Sequence, residues 1–340
     1  MSACHIEIKF QQPEREYRAG DTIHGIVLIE VEKKLRCRSV QLSAYWKTHG
    51  RGNTARENYF QKTLRDGDFE AADTLEFPFE FTPPQAPLTY HGRYINIDHY
   101  VAVRADLPWA RDKKCEEEFF LRVGELAPDT EVEGITLEQK NGCRVMAGLI
   151  TAAAIFMVCG YLFMTAGSIW FLLGLIPAAA IAFLSLRSRL AERRLGEVKW
   201  GTLNTCFPNE AMPSLLQIGP VGNVRIQSIT TKVKGVESAV SGSGTDRTTH
   251  SHVLHESSQL VCENPESRRG EVLEFSVPLP FPDSKAWSLE LPDNQIKWFV
   301  SLTIRLSGWP DWSQTREIQF IGSPPPDDPA HDSNPAMDVD

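Results

Sequence analysis

The chain lacks the cysteine pairs and the excess of basic residues that would assign it to several common classes of protein. Its seven cysteines are scattered and include no Cys-x-x-Cys pair, which excludes a zinc ribbon and a thioredoxin-type redox motif. Scattered unpaired thiols are typical of a reducing compartment. The formal net charge of −9 argues against nucleic acid as a partner, because binding to phosphates requires a clustered basic surface.

Catalytic sequence motifs are also missing. The chain contains no nucleophile elbow, phosphate-binding loop, dinucleotide fingerprint or His-Glu-x-x-His motif. The consecutive carboxylates Glu116, Glu117 and Glu118 give no catalytic pair, because neighbours on a strand point to opposite faces. We therefore expect a protein that is not an enzyme and uses no cofactor, although an active site assembled from residues distant in sequence stays open.

The middle of the chain lacks charge altogether. From Val145 to Leu186, 42 consecutive residues include no Asp, Glu, Lys, Arg or His. A single helix of that length would measure about 63 Å, roughly twice the hydrocarbon thickness of a bilayer. The run therefore predicts a two-helix transmembrane hairpin within residues 144–190. Its spans are expected near 145–164 and 169–186, with the lipid bilayer as a partner.

Basic residues on both sides of this run predict its orientation. They are Lys140 and Arg144 before the run, and Arg187, Arg189, Arg193, Arg194 and Lys199 after it. By the positive-inside rule, both flanks should face the cytoplasm. The first ten residues carry charges where a signal peptide needs an apolar stretch, so no signal peptide is expected. These features predict a multi-pass integral membrane protein with both termini in the cytoplasm.

The sequence before the charge-free run has the pattern of short strands. Apolar and polar residues alternate in 6–10 and in 77–81, which is the period of a half-buried strand. Pro83 ends the second of these strands, because proline cannot donate a hydrogen bond to a neighbouring strand. Frequent turn signals between such strands predict an all-β sandwich over residues 1–123, followed by a linker at 124–143.

Four stretches of this first domain are similar to a known family. They are Tyr-Arg-Ala-Gly-Asp-Thr-Ile-His-Gly-Ile-Val at 17–27, Leu-Arg-Cys-Arg-Ser-Val-Gln-Leu at 35–42, Phe-Pro-Phe-Glu-Phe-Thr-Pro-Pro at 77–84, and the aromatic-rich strand at 94–103. Together they resemble the N-terminal domain of arrestin-fold proteins. The resemblance implies arrestin-like or immunoglobulin-like β-sandwiches in tandem, and an adaptor that binds other proteins. The membrane hairpin departs from that family, whose lobes are joined by a short linker.

The second half of the chain repeats the apolar pattern of the first. The matched stretches are 75–79 with 273–277, 97–101 with 296–300, and 118–121 with 317–320. Because the offset stays at 198 or 199 residues, the pattern indicates a duplicated domain rather than a solenoid unit. We predict a second β-sandwich over 197–322 and a disordered acidic tail over 323–340.

One histidine-rich stretch is a candidate metal site. On a strand, His250 and His252 would share a face, as a site with two histidine ligands requires. His255 would fall on the opposite face unless a bulge intervenes. The alternative is a solvated hairpin strand that follows the flexible loop at 241–244.

Two functions are consistent with these observations. The leading hypothesis is a membrane-anchored, non-catalytic adaptor or scaffold that presents its β-sandwiches to a cytoplasmic protein partner, with other membrane proteins among the candidates. This is what the arrestin resemblance implies. The alternative is a ligand-sensing or metal-sensing accessory subunit of a membrane complex, with His250 and His252 as its site.

Overall fold

The computed structural model describes residues 4–108, 111–124, 136–139, 153–159, 196–219, 225–266 and 270–322, with a few single helical positions between 161 and 195. Most of these residues lie in β-strands, which form two lobes. A helix covers 153–159, and a short 3-10 helix covers Gly244–Asp246. The all-β sandwich architecture predicted from the alternating pattern is therefore confirmed.

The first lobe is a sandwich of a three-stranded sheet and a six-stranded sheet. Its strands are β1 (Cys4–Phe10), β2 (Glu16–Arg18), β3 (Ile23–Val31), β4 (Ser39–Gly50), β5 (Arg56–Asp66), β6 (Thr74–Phe81), β7 (Tyr90–His91), β8 (Ile95–Asp106) and β9 (Lys113–Arg122). The smaller sheet has the order β1-β3-β6. The larger sheet has the order β2-β9-β8-β4-β5, and β7 pairs with β8.

Aromatic rings from both sheets fill the core of this lobe. Phe79 and Phe81 come from β6 and Phe119 comes from β9, and all three are buried. The rings of Phe81 and Phe119 lie 6.1 Å apart across the sandwich. The alternating phenylalanines in the sequence are thus the inward-facing positions of β6, as the period of two predicts.

The second lobe is built in the same way. Its strands are β10 (Thr136–Gln139), β11 (Glu197–Thr202), β12 (Thr205–Cys206), β13 (Ala211–Met212), β14 (Ser214–Gly219), β15 (Ile226–Ser241), β16 (Thr248–Glu263), β17 (Leu273–Ser276), β18 (Leu279–Pro280), β19 (Leu289–Glu290), β20 (Asn294–Leu306) and β21 (Trp312–Phe320). The larger sheet has the order β12-β21-β20-β15-β16, with β19 beside β20. The other sheet has the order β10-β11-β14-β17, and β13 pairs with β18.

The likeness between the two larger sheets extends to individual hydrogen bonds. The Thr89 hydroxyl accepts a hydrogen bond from the backbone N–H of Leu121 at 2.8 Å. In the second lobe, the Ser288 hydroxyl accepts one from Phe320 at 2.9 Å. Thr89 and Ser288 are separated by the same offset as the sequence repeat, and so are Leu121 and Phe320. The repeated sequence therefore lies on equivalent strands.

His99 and Trp298 are equivalent buried residues of the two lobes. Nε2 of His99 lies 2.9 Å from the Pro87 carbonyl oxygen, and Nε1 of Trp298 donates to the Ala286 carbonyl at 2.8 Å. Both side chains are fully buried. Burial lowers the pKa of His99 from its ordinary 6.5 to about 4, so the ring is neutral near pH 7.

The predicted membrane topology is wrong. In the part of the chain that the structure describes, no helix is long and apolar enough to cross a membrane. The localisation as a multi-pass membrane protein with cytoplasmic termini is corrected accordingly. Most of the two predicted spans, like the predicted tail at 323–340, lies outside the described residues.

Candidate functional site

A buried carboxylate joins the two lobes. Glu237 of β15 is fully buried and points at the turn between β7 and β8 of the first lobe. Its oxygens accept hydrogen bonds from the backbone N–H groups of Arg93 at 3.1 Å, Tyr94 at 2.9 Å and Ile95 at 2.7 Å. Three donors offset the cost of removing the carboxylate from water. Gly92 completes the fit, because a Cβ atom there would collide with the Glu237 carboxylate.

A second polar contact between the lobes centres on Asn53, in the loop between β4 and β5. Its backbone N–H donates to the Val240 carbonyl at 2.8 Å, and its side-chain amide donates to the Gly242 carbonyl at 2.9 Å. In return, the amide of the buried Asn294 donates to the Asn53 carbonyl at 2.8 Å. The lobes are therefore attached at two points by backbone and amide hydrogen bonds, which fixes how the second lobe sits beside the first.

The predicted histidine pair lies beside this junction. His250 and His252 of β16 share a face, and their rings lie 5.8 and 6.2 Å from the ring of Tyr94 in the first lobe. A β-bulge shifts the register of β15 and β16, so that His255 pairs with Gly235 and shares that face as well. The contact with Tyr94 gives the pair a packing role, and metal binding by it stays a prediction.

A different group of possible metal ligands was missed by the sequence reasoning. Among the described residues, the ligand atoms of His91, Asp98 and Glu118 all lie within 4.8 Å of one another. They come from β7, β8 and β9, and the contact between β8 and β9 depends on the pairing of Tyr100 with Glu118. Alternation along each strand predicts which side chains point outward. The register between neighbouring strands, however, cannot be deduced from the spacing of residues in the sequence.

The strand β16 forms an exposed edge of the larger sheet in the second lobe. It has 16 residues and, among the described strands, pairs only with β15. It contains no Lys or Arg, and Val253 and Leu260 are 42% and 50% exposed. Unpaired strand edges are templates for another strand, and proteins usually protect them with charges. The corresponding edge strand of the first lobe, β5, has that protection, since five of its 11 residues are charged.

Comparisons with known proteins identify no family for this chain. No protein-family model matches the chain, and no curated protein does. Among solved structures, the chain is similar to Spo0M, a sporulation control protein from Bacillus subtilis, with a TM-score of 0.31 and 11% identity. The match covers 64% of this chain and 80% of that chain. A likeness at this level carries no argument about function.

Proposed function

We propose that this protein is a non-catalytic binding protein of the adaptor type, which captures an extended segment of a partner protein as an additional strand beside β16. The unprotected edge of β16 is the observation that carries this proposal. In such complexes the hydrogen bonds of the two backbones supply affinity, and the side chains at alternate positions supply specificity. The arrestin resemblance, which implies an adaptor, supports the same function.

The outward face of β16 indicates the chemistry of the partner segment. Val253, Glu256 and Leu260 lie along this face, opposite the partially exposed residues of β15. Two exposed apolar side chains therefore flank one carboxylate. Glu256 is bonded to Lys232 and Lys234, which lower the pKa of its carboxyl group. Because two lysines already neutralise Glu256, a segment with apolar residues opposite Val253 and Leu260 would complement this row.

The junction between the lobes supports β16 from behind. Tyr94 packs against His250 and His252 on the inward face, and the Glu237 carboxylate is held one strand away. The N-terminal half of β16 is therefore backed by the first lobe rather than by solvent. Because this half is fixed before binding, β16 itself loses less conformational entropy on binding than a mobile strand would.

Replacing Val253 with lysine is expected to weaken peptide binding at least tenfold, equivalent to about 1.4 kcal/mol. The substitution adds a charge to the edge and removes an apolar contact, while the half-exposed position leaves the fold intact. Extended peptides are first selected from a random library displayed on phage against the full chain. The affinity of the selected peptides for each variant is then measured by fluorescence anisotropy.

The control is Val272→Lys, which makes the same chemical change at a residue that is 54% exposed and lies outside the strands. It should leave peptide affinity within twofold of the unmodified protein. Hydrogen exchange should show protection of the β16 amides when peptide binds. Equal weakening by both variants, protection confined to another strand, or a library that returns no binder would each refute the proposal.

A further inference from the structure

The outer face of the larger sheet in the first lobe brings together imidazole and carboxylate groups. Nε2 of His91 lies 2.6 Å from one oxygen of Asp98, and Nε2 of His49 lies 3.6 Å from the other. Asp98 is held firmly, since only 11% of its side chain is exposed. Glu118 completes the group from the neighbouring strand β9. Three side chains from β7, β8 and β9 thus converge, and His49 of β4 lies beside Asp98.

The electrostatics of this group favour a cation. With neutral imidazoles, Asp98 and Glu118 place two negative charges within a few ångströms of each other. Two carboxylates this close give the cluster an excess of negative charge that one divalent ion would neutralise.

The types and spacing of the donors suit a transition metal better than a hard cation. Imidazole nitrogen with carboxylate oxygen is a common ligand set for Zn²⁺, whereas Ca²⁺ and Mg²⁺ prefer oxygen alone. Tetrahedral bonds of about 2.1 Å place ligand atoms about 3.4 Å apart. The nitrogen-to-oxygen distances of 2.6 and 3.6 Å lie on either side of that value. Side-chain rotations that lengthen the shorter distance and shorten the longer one would therefore produce the required geometry.

We propose that His91, Asp98 and Glu118 bind Zn²⁺ or a similar divalent transition metal, with His49 as the fourth ligand. This site goes beyond the peptide-binding function and lies on the other lobe from β16. The Tyr100 hydroxyl lies 3.1 Å from Nε2 of His49. That contact holds the His49 ring beside the cluster, and it must give way to the metal if His49 coordinates through this nitrogen.

The test titrates the full chain with Zn²⁺ after treatment with a chelator, using a competing chromophoric indicator. We expect one equivalent to bind, and Glu118→Gln and His91→Ala each to weaken binding at least tenfold. Bound Co²⁺ should show the intense visible absorption of a four-coordinate site. Circular dichroism checks the fold of each variant. If His91→Ala fails to fold, the partly exposed Glu118→Gln decides the question.

The matched control is the double variant His250→Ala/His252→Ala, which removes two histidines from the other lobe. It should bind Zn²⁺ as tightly as the unmodified chain. If the control loses the metal while Glu118→Gln retains it, the site belongs to the histidine pair of β16 and the proposal is wrong. Failure of the unmodified chain to bind Zn²⁺ or Co²⁺ would overturn it as well. Neither result affects the peptide-binding function, whose test uses β16.

Discussion

Replacing Glu237 with glutamine should loosen the attachment of the two lobes by about 3 kcal/mol, because hydrogen bonds to a charged group are worth about 1.5 to 3 kcal/mol each. The carboxylate accepts from three backbone N–H groups, at Arg93, Tyr94 and Ile95. The amide of glutamine has a single acceptor oxygen and places its NH₂ donors among these N–H groups. Hydrogen exchange of the three amides measures the effect, with an expected acceleration of about 100-fold.

Glu263→Gln is the control for this prediction, since it makes the same change at an exposed carboxylate of the same lobe. It should leave the exchange of residues 93–95 unaltered. Unchanged protection of these amides in Glu237→Gln would mean that the carboxylate contributes nothing to the attachment. In that case the contact around Asn53 and the packing of Trp46, Ile95 and Ile97 against the core of the second lobe would hold the lobes together. The two contacts can be separated in this way because they involve different loops of the first lobe.

The strands of both lobes could be predicted because the alternating apolar pattern that marks a strand lies within a few consecutive residues. The phenylalanines at 77–81 occupy alternate positions of β6, and the repeated stretch at 296–300 lies on β20, as its counterpart lies on β8. Burial at every second position is visible in the sequence itself. The charge-free run misled for a related reason. Its composition reports hydrophobicity alone, and no helix among the described residues is long and apolar enough to cross a membrane.

The candidate sites could not be predicted because they depend on how strands meet. The approach of His91 to Asp98 requires β7 to pair with the start of β8, and Glu118 arrives only through the register of β9. The face of His255 was settled by a bulge beside Gly235 that no local signal marks. Likewise, the partners of Glu237 are more than 140 residues away in the sequence. Register and contacts between lobes are properties of the folded chain.

The stability of the protein should fall steeply in mild acid because His99 is buried in its neutral form. The folded-state pKa of about 4 lies below the ordinary value of 6.5, so the unfolded chain takes up a proton more readily. This contribution to stability is complete above pH 6.5 and is lost as the pH falls toward 4. At 1.36 kcal/mol for each pKa unit, the loss amounts to about 3 kcal/mol. Urea denaturation at several pH values measures it.

The variant His99→Gln should lack most of this pH dependence while keeping a donor for the Pro87 carbonyl. In the neutral ring, Nε2 donates to that carbonyl, and Nδ1 lies 3.3 Å from the Tyr59 hydroxyl and can accept from it. Protonation removes the acceptor and places a charge in the core beside Phe119. His5→Gln, at an exposed position, should retain the slope of the unmodified protein. The same slope in His99→Gln between pH 6.5 and 5 would show that other groups cause the acid sensitivity. That interval separates imidazole from carboxyl titration, because ordinary carboxyl groups take up their protons at lower pH.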